Sequence, residues 1–296
     1  MTISNYLKPI MLGLLVALCS GVECTTQQSR DNVIVQHTED HEEYTVPDIR
    51  SIPLTEAEQR ALQAAERKIL AAWEKVQSGS ATLVFEAKRP AGPGDVRDFA
   101  DLRLGVQFTG QLDFLKKDGR LHTRERTTRM ADPSHGLDSD ATLIELTETR
   151  ISDGESHYIV QEFDGQTNVI RIRAPQFVYA GKDTLDQMRG ASDLIWLAAD
   201  EEIDGRQAYV ISTTGPSRTE FAGMFFQTCF DKKTGIMVRN TWYHPNYGFF
   251  QVLSLKDLKV DMEFPKGHFT YVPPKGVEVI DSTEDRKRAA PGFVPR

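Results

Sequence analysis

The chain is poor in cysteine: of three in 296 residues, Cys19 and Cys24 fall within the first 24 positions. Only Cys229 lies in the body, so the mature fold has no disulfide framework unless Cys24 survives processing. Long apolar runs are also missing, and the one near the amino terminus, Ile10 to Leu18, is too short to span a bilayer as a helix. Basic excess is absent as well. The formal net charge is −8, which argues against a nucleic-acid partner. Catalytic signatures are lacking: there is no nucleophile elbow, no His-Glu-x-x-His, no phosphate-cradling glycine loop and no Cys-x-x-Cys. Acidic residues are abundant, but no spacing singles out a carboxylate pair. The residues therefore name no catalytic group, no metal and no cofactor, and the reading is of a non-enzyme.

The amino-terminal region carries a targeting signal. Residues 1–24 combine Lys8, an apolar core and small residues, the pattern of a signal peptide, so the chain is expected to be exported to the periplasm or cell envelope. Gly21-Val22-Glu23 before Cys24 is a poor context for lipid attachment and favours ordinary cleavage between positions 19 and 24 over a lipid anchor. Residues 25–52 are polar and acidic and read as a solvated linker. His37 and His41 lie four apart within it, among acids that suit a charged segment better than a metal site. One large domain is expected over 53–283, and a loose tail over 284–296.

The domain opens with a helix. Thr55 and Glu58 form a capping box, and Leu62, Ala65, Ile69, Trp73 and Val76 recur at helical spacing until Ser78-Gly79. Strands follow from about Thr82. Even positions from Leu102 to Phe114 are mostly apolar against a polar odd face, with Gly105 or Gly110 placed to bend the strand. Asp118-Gly119 predicts a hairpin into the basic strand Arg120–Met130. Further strands are expected at Thr142–Thr149, Ser156–Phe163 and Val169–Arg173, joined as a meander. Asp183 is placed to cap a second helix whose stripe would be Leu185, Met188, Ile195, Trp196 and Ala199. Met224–Phe230, Ile236–Tyr243 and Phe249–Leu255 then carry apolar or aromatic residues on both faces, and Leu258–Phe264 alternates as a half-buried strand.

The closing phrases carry a resemblance. A strand ending in Asp231-Lys-Lys-Thr-Gly235, the strands over Phe249–Leu255 and Leu258–Val260, and Phe269-Thr-Tyr271 before Val272-Pro-Pro-Lys-Gly-Val-Glu-Val-Ile-Asp281 resemble the C-terminal half of the LolA-like superfamily. Its members are periplasmic lipoprotein carriers, with relatives that bind other lipids or sense envelope proteins. The resemblance implies an α+β fold in which a strongly curved, unclosed antiparallel sheet holds acyl chains on its concave face, under the N-terminal and mid-chain helices. It implies a lipid- or lipoprotein-binding carrier, monomeric, with envelope donor or acceptor proteins as possible partners. Candidate lining residues are Phe85, Phe108, Phe114, Met188, Trp196, Phe226, Trp242 and Phe250, several of which the core could equally claim. Arg120 and Arg124 stand nearest to the arginine that the carriers bear on a strand after a similar turn; the alternative is a solvated face paired with acids. Cys229, in an apolar strand, reads as an inert small hydrophobe. Two other readings stay open: a module of the same fold that senses a protein partner, and an envelope hydrolase.

Overall fold

The computed structural model describes residues 53–90, 102–131, 144–173, 179–215, 224–244 and 249–281. The expected export segment and acidic linker, with His37 and His41, and the expected tail lie outside them.

Helix α1 (Glu56–Lys75) begins at the expected capping box: Glu58 N donates to Thr55 Oγ1 at 3.3 Å, and Thr55 N donates to Glu58 Oε2 at 2.7 Å. Leu62, Ala65, Ile69 and Ala72 form its buried stripe. Val76 is already extended, and the chain enters β1 (Ser78–Pro90) two residues later. Next comes a meander of β2 (Leu102–Lys117), β3 (Arg120–Ala131), β4 (Ile144–Ser152), β5 (Ser156–Phe163) and β6 (Gln166–Arg173). The β2–β3 turn places Asp118 at φ 52° and Gly119 at φ 72°, the left-handed pair that a two-residue hairpin needs. After α2 (Lys182–Gly190), a second series runs through β7 (Leu194–Leu197), β8 (Glu201–Ile203), β9 (Arg206–Thr214), β10 (Phe225–Asp231), β11 (Met237–His244) and β12 (Phe249–Val260). A last short strand is β13 (Val279–Asp281).

The thirteen strands of the described residues form one unclosed sheet, in the order β13-β6-β5-β4-β3-β2-β1-β12-β11-β10-β9-β7, with β8 also on β9. Among the described residues every strand pairing is antiparallel except β13 on β6. The two meanders meet at the β1–β12 ladder, where Leu83 faces Leu255 and Phe85 faces Leu253. Opposite β1, the register shifts at Gly105, which stands unpaired between Val106 and Leu104 and bends β2 as its glycine suggested.

Tyr179 shows the direction of curvature. Its carbonyl accepts from Met237 N of β11 at 2.7 Å, while its hydroxyl donates to Glu125 Oε2 of β3 at 3.1 Å. Those strands are four inter-strand steps apart, about 19 Å in a flat sheet. One tyrosine bridges them only because the sheet curls toward it, so the face bearing Tyr179 is concave. Trp73 of α1 packs on Phe114 of the same face at 5.5 Å between ring centroids.

Two expectations are corrected. The mid-chain helix ends at Gly190, its cap is Gly181 rather than Asp183, and Ile195 and Trp196 belong to β7, with Ala199 in neither element. Gly181 sits at φ 88°, with the Trp73 indole where a side chain would project, and Leu-Ile-Trp-Leu finds a ladder on β9 that outweighs its helical spacing. At the other end, the runs Phe249–Leu255 and Leu258–Val260 are one strand with a bulge at Asp257, whose φ is 52°. Asp261, at φ 57°, turns the chain out of the sheet, so Met262, Phe264 and Phe269–Tyr271 are not strand. They form a strap across the convex face of β2–β6. There His268 Nε2 meets Asp113 Oδ2 at 2.8 Å, Phe269 is buried against Phe264, and Tyr271 packs on Tyr158.

Candidate functional site

The concave face can be traced by register, since residues directly opposite one another on paired strands point to the same side. One row runs Phe226, Trp242, Gln251, Ala87. The next runs Thr228, Asn240, Leu253, Phe85, Phe108, and a third Leu255, Leu83, Gly110, Thr127, Glu148, Gln161. Below them lie Ala81, Leu112, Glu125, Arg150, Ile159, and then Gly79, Phe114, Thr123, Ser152, His157. On β1, β2 and β12 the face is therefore mainly apolar, and from β3 to β5 it becomes polar.

The apolar half holds two aromatic pairs. Phe85 stacks on Phe108 with centroids 4.8 Å apart, and Phe226 meets Trp242 edge-on at 6.0 Å. Phe85 and Phe108 belong to the main core cluster with the α1 stripe, whereas Phe226 and Trp242 stand apart from it. Asn240 and Gln251 interrupt this half with buried side-chain carbonyls that have no hydrogen-bond partner.

The polar half is a part-buried ionic network centred on buried Glu148. Arg150 Nε and Nη2 lie 2.7 Å and 2.6 Å from Glu148 Oε1, Gln161 Nε2 donates to Glu148 Oε2 at 2.9 Å, and Arg150 Nη1 lies 3.9 Å from Glu125 Oε1. Burial disfavours charge on Glu148, yet Arg150, Gln161 and Arg129 outweigh it and hold the carboxyl below its ordinary value. Burial likewise opposes charge on Arg150, and Glu148 with Glu125 overcomes it and raises the guanidinium. For His157 the attraction of Glu148 is outweighed. Burial, and then the Arg150 charge, push it down to about 4, with Nδ1 unpaired. These groups can hold a charged pair in place; none is arranged as a nucleophile with its base. Burial also pushes the Cys229 thiol up to about 12, so it stays protonated at neutral pH.

Of the residues singled out from the sequence, the structure brings Phe85, Phe108, Phe114, Phe226 and Trp242 onto this one face. Met188 is half-buried on α2 against the core. Trp196 shares a row with Ser212 and Gln227 on the opposite face, its ring 5.8 Å from Phe225. Arg120 is exposed at the β2–β3 turn, paired with Glu155. Arg124 lies on the convex face in a row with Asp113, and its Nη1 donates to His268 O of the strap at 3.1 Å. The side chain of Phe250 is outside those described. Sequence reading missed Glu125, Glu148, Arg150, His157, Asn240 and Gln251. For Glu148 and Arg150 a signal existed, because their two-residue spacing on β4 puts both on one face.

A separate cleft of about 470 Å³ opens between the β8–β9 turn and the β12 bulge, with Val238, Leu255 and Leu258 beneath and Lys256 and Lys259 at its rim. Arg206 crosses it, paired with Asp231 at 3.2 Å and donating to Leu258 O at 2.6 Å.

No helix among the described residues is long and apolar enough to cross a membrane, and no group of three His, Cys, Asp or Glu among them is placed to hold a metal. No family model matches the chain, and no curated protein matches it. Among solved structures it is similar to a chain of the Pseudomonas aeruginosa MucA/MucB complex, at 17% identity and a TM-score of 0.40, over 71% of this chain but only 61% of that one. It is also similar to the Mycobacterium tuberculosis lipoprotein LppX, at 13% identity and a TM-score of 0.36, over 70% of this chain and 98% of LppX. For LprF of Mycobacterium bovis the values are 10% and 0.36, over 71% and 97%. At these scores the overlap is loose, and the architecture rests on the strand order and curvature above.

Proposed function

We propose that this chain is an exported carrier that binds acyl chains of a lipid or lipoprotein on the concave face of its sheet. The observation that supports this reading most directly is the Phe226–Trp242 pair. It extends the apolar surface of β1, β2 and β12 beyond the cluster that includes the α1 stripe, on the side toward which the sheet curls. Apolar burial alone gives such a site useful affinity, since each methylene removed from water contributes about 0.8 kcal/mol. Such binding needs no catalytic group, in keeping with a non-enzyme. Export follows from the pattern of residues 1–24.

Native mass spectrometry with organic extraction, on protein purified from an envelope fraction without detergent, tests the proposal. Near-stoichiometric lipid or acylated peptide is the expected result. A clean protein that also takes up no fluorescent fatty acid would sink it. A second reading is a module that senses a protein partner, for which the observation is the exposure of Val272 and Ile280, both C-terminal to β12. It predicts specific capture of an envelope protein and no co-purifying lipid.

A further inference from the structure

Asn240 and Gln251 sit on neighbouring strands of the concave face as diagonal neighbours, Asn240 opposite Leu253 and Gln251 opposite Trp242. Gln251 is 4% exposed, and around the two amides the same face presents Phe226, Trp242, Ala87, Leu253 and Phe85, with Thr228 directly opposite Asn240. Neither Asn240 Oδ1 nor Gln251 Oε1 has a hydrogen-bond partner, although both atoms are buried. Buried amide carbonyls are ordinarily satisfied, because leaving one unmade forfeits its hydration with nothing in return. Leucine or methionine would fill the same volume at either position without that cost. Two adjacent unpaired acceptors on the face proposed as the ligand surface therefore call for a donor that arrives with the ligand.

Resting on the carrier reading, we infer that the ligand is an apolar chain bearing a hydroxyl group, whose O–H donates to the Asn240 and Gln251 carbonyls. A plain acyl chain has no donor to offer and leaves both carbonyls unpaired in the complex. A hydroxylated chain satisfies them in a dry site, where a hydrogen bond discriminates most strongly.

The test compares stearic acid with a panel of monohydroxystearic acids, the hydroxyl placed near the carboxylate, at mid-chain or near the tail. Binding to the full exported protein is read by displacement of a fluorescent fatty acid. At least one hydroxylated acid is expected to bind about tenfold tighter than stearate, and the Asn240→Leu, Gln251→Leu double variant is expected to bind that acid no tighter than stearate. Stearate bound as tightly as every hydroxylated acid overturns this inference and leaves the carrier reading standing. If no acid binds, both fall. Thermal unfolding of the ligand-free variant supplies a second readout: removing two unpaired carbonyls should leave its midpoint unchanged or higher. A drop of several degrees would assign the amides to the fold and overturn the inference.

Discussion

His157 projects from β5 onto the concave face, 6% exposed, and burial with the Arg150 charge holds it near 4. The unfolded chain takes up that proton near 6.5, so between about 6.5 and 4 the unfolded state binds more protons than the folded one. The neutral ring thus contributes stability that is complete above about 6.5 and is lost as pH falls through that window. Glu148, held below its ordinary value, also loses stability on acidification, so only a difference between variants isolates the histidine. For His157→Gln, the stability lost between pH 7 and pH 4.5 should be smaller than wild type by about 2 to 3 kcal/mol, measured by urea unfolding at each pH. An unchanged loss would place the acid sensitivity elsewhere. Gly235 offers an independent test. It turns at φ 68° between β10 and β11, and an added Cβ would meet the backbone carbonyl of Ile69 in α1. Gly235→Ala should cost about 2 kcal/mol or more, since neither the backbone conformation nor the neighbour can yield cheaply. A midpoint within a degree of wild type would show that the turn relaxes.

Among the elements, those written in local chemistry were legible. Thr55 and Glu58 announced the start of α1, and Asp118-Gly119 announced the β2–β3 hairpin, because each signal is complete within a few residues. Thr55→Ala should destabilise the protein by about 1 kcal/mol, a downward shift of about 2 to 4 °C seen by calorimetry. No shift would mean that burial of Leu62 and Ile69 sets the start of the helix without the cap. Elements that depend on distant partners were misread. Ile195 and Trp196 continue a helical stripe in the sequence, and only the ladder to Thr213 and Ser212 makes them strand. Met262 and Phe264 continue the alternation of β12, and only the left-handed turn at Asp261 and the convex-face contacts at His268 and Phe269 take them out of the sheet.

At the scale of the molecule, the aromatic half of the concave face was partly readable, since Phe85, Phe108, Phe114, Phe226 and Trp242 all stood out by type. What could not be read was which side each takes. Trp196 looked equivalent to Trp242, and register alone separates them. The ionic network was hidden for a related reason: charged residues in a strand are ordinarily solvated, and nothing local tells that Glu148 is buried and Arg150 partly so. The same long-range pairing governs how the protein should unfold. Strands β2–β6 and β9–β12 each pair with their neighbours in sequence, and the two groups meet at β1, where Leu83 faces Gly110 on one side and Leu255 on the other. Leu83 is 1% exposed, so Leu83→Ala should cost about 2 to 5 kcal/mol. If the sheet is one cooperative unit, that loss lowers hydrogen-exchange protection in both groups by the same amount, and the urea transition keeps its slope while moving to lower denaturant. Protection lost on one side alone, with a broadened transition, would show that the two meanders are separate folding units that happen to share a ladder. That outcome would also change how the concave face works, because a ligand spanning β3 to β11 would then be holding two units together rather than occupying a site already formed.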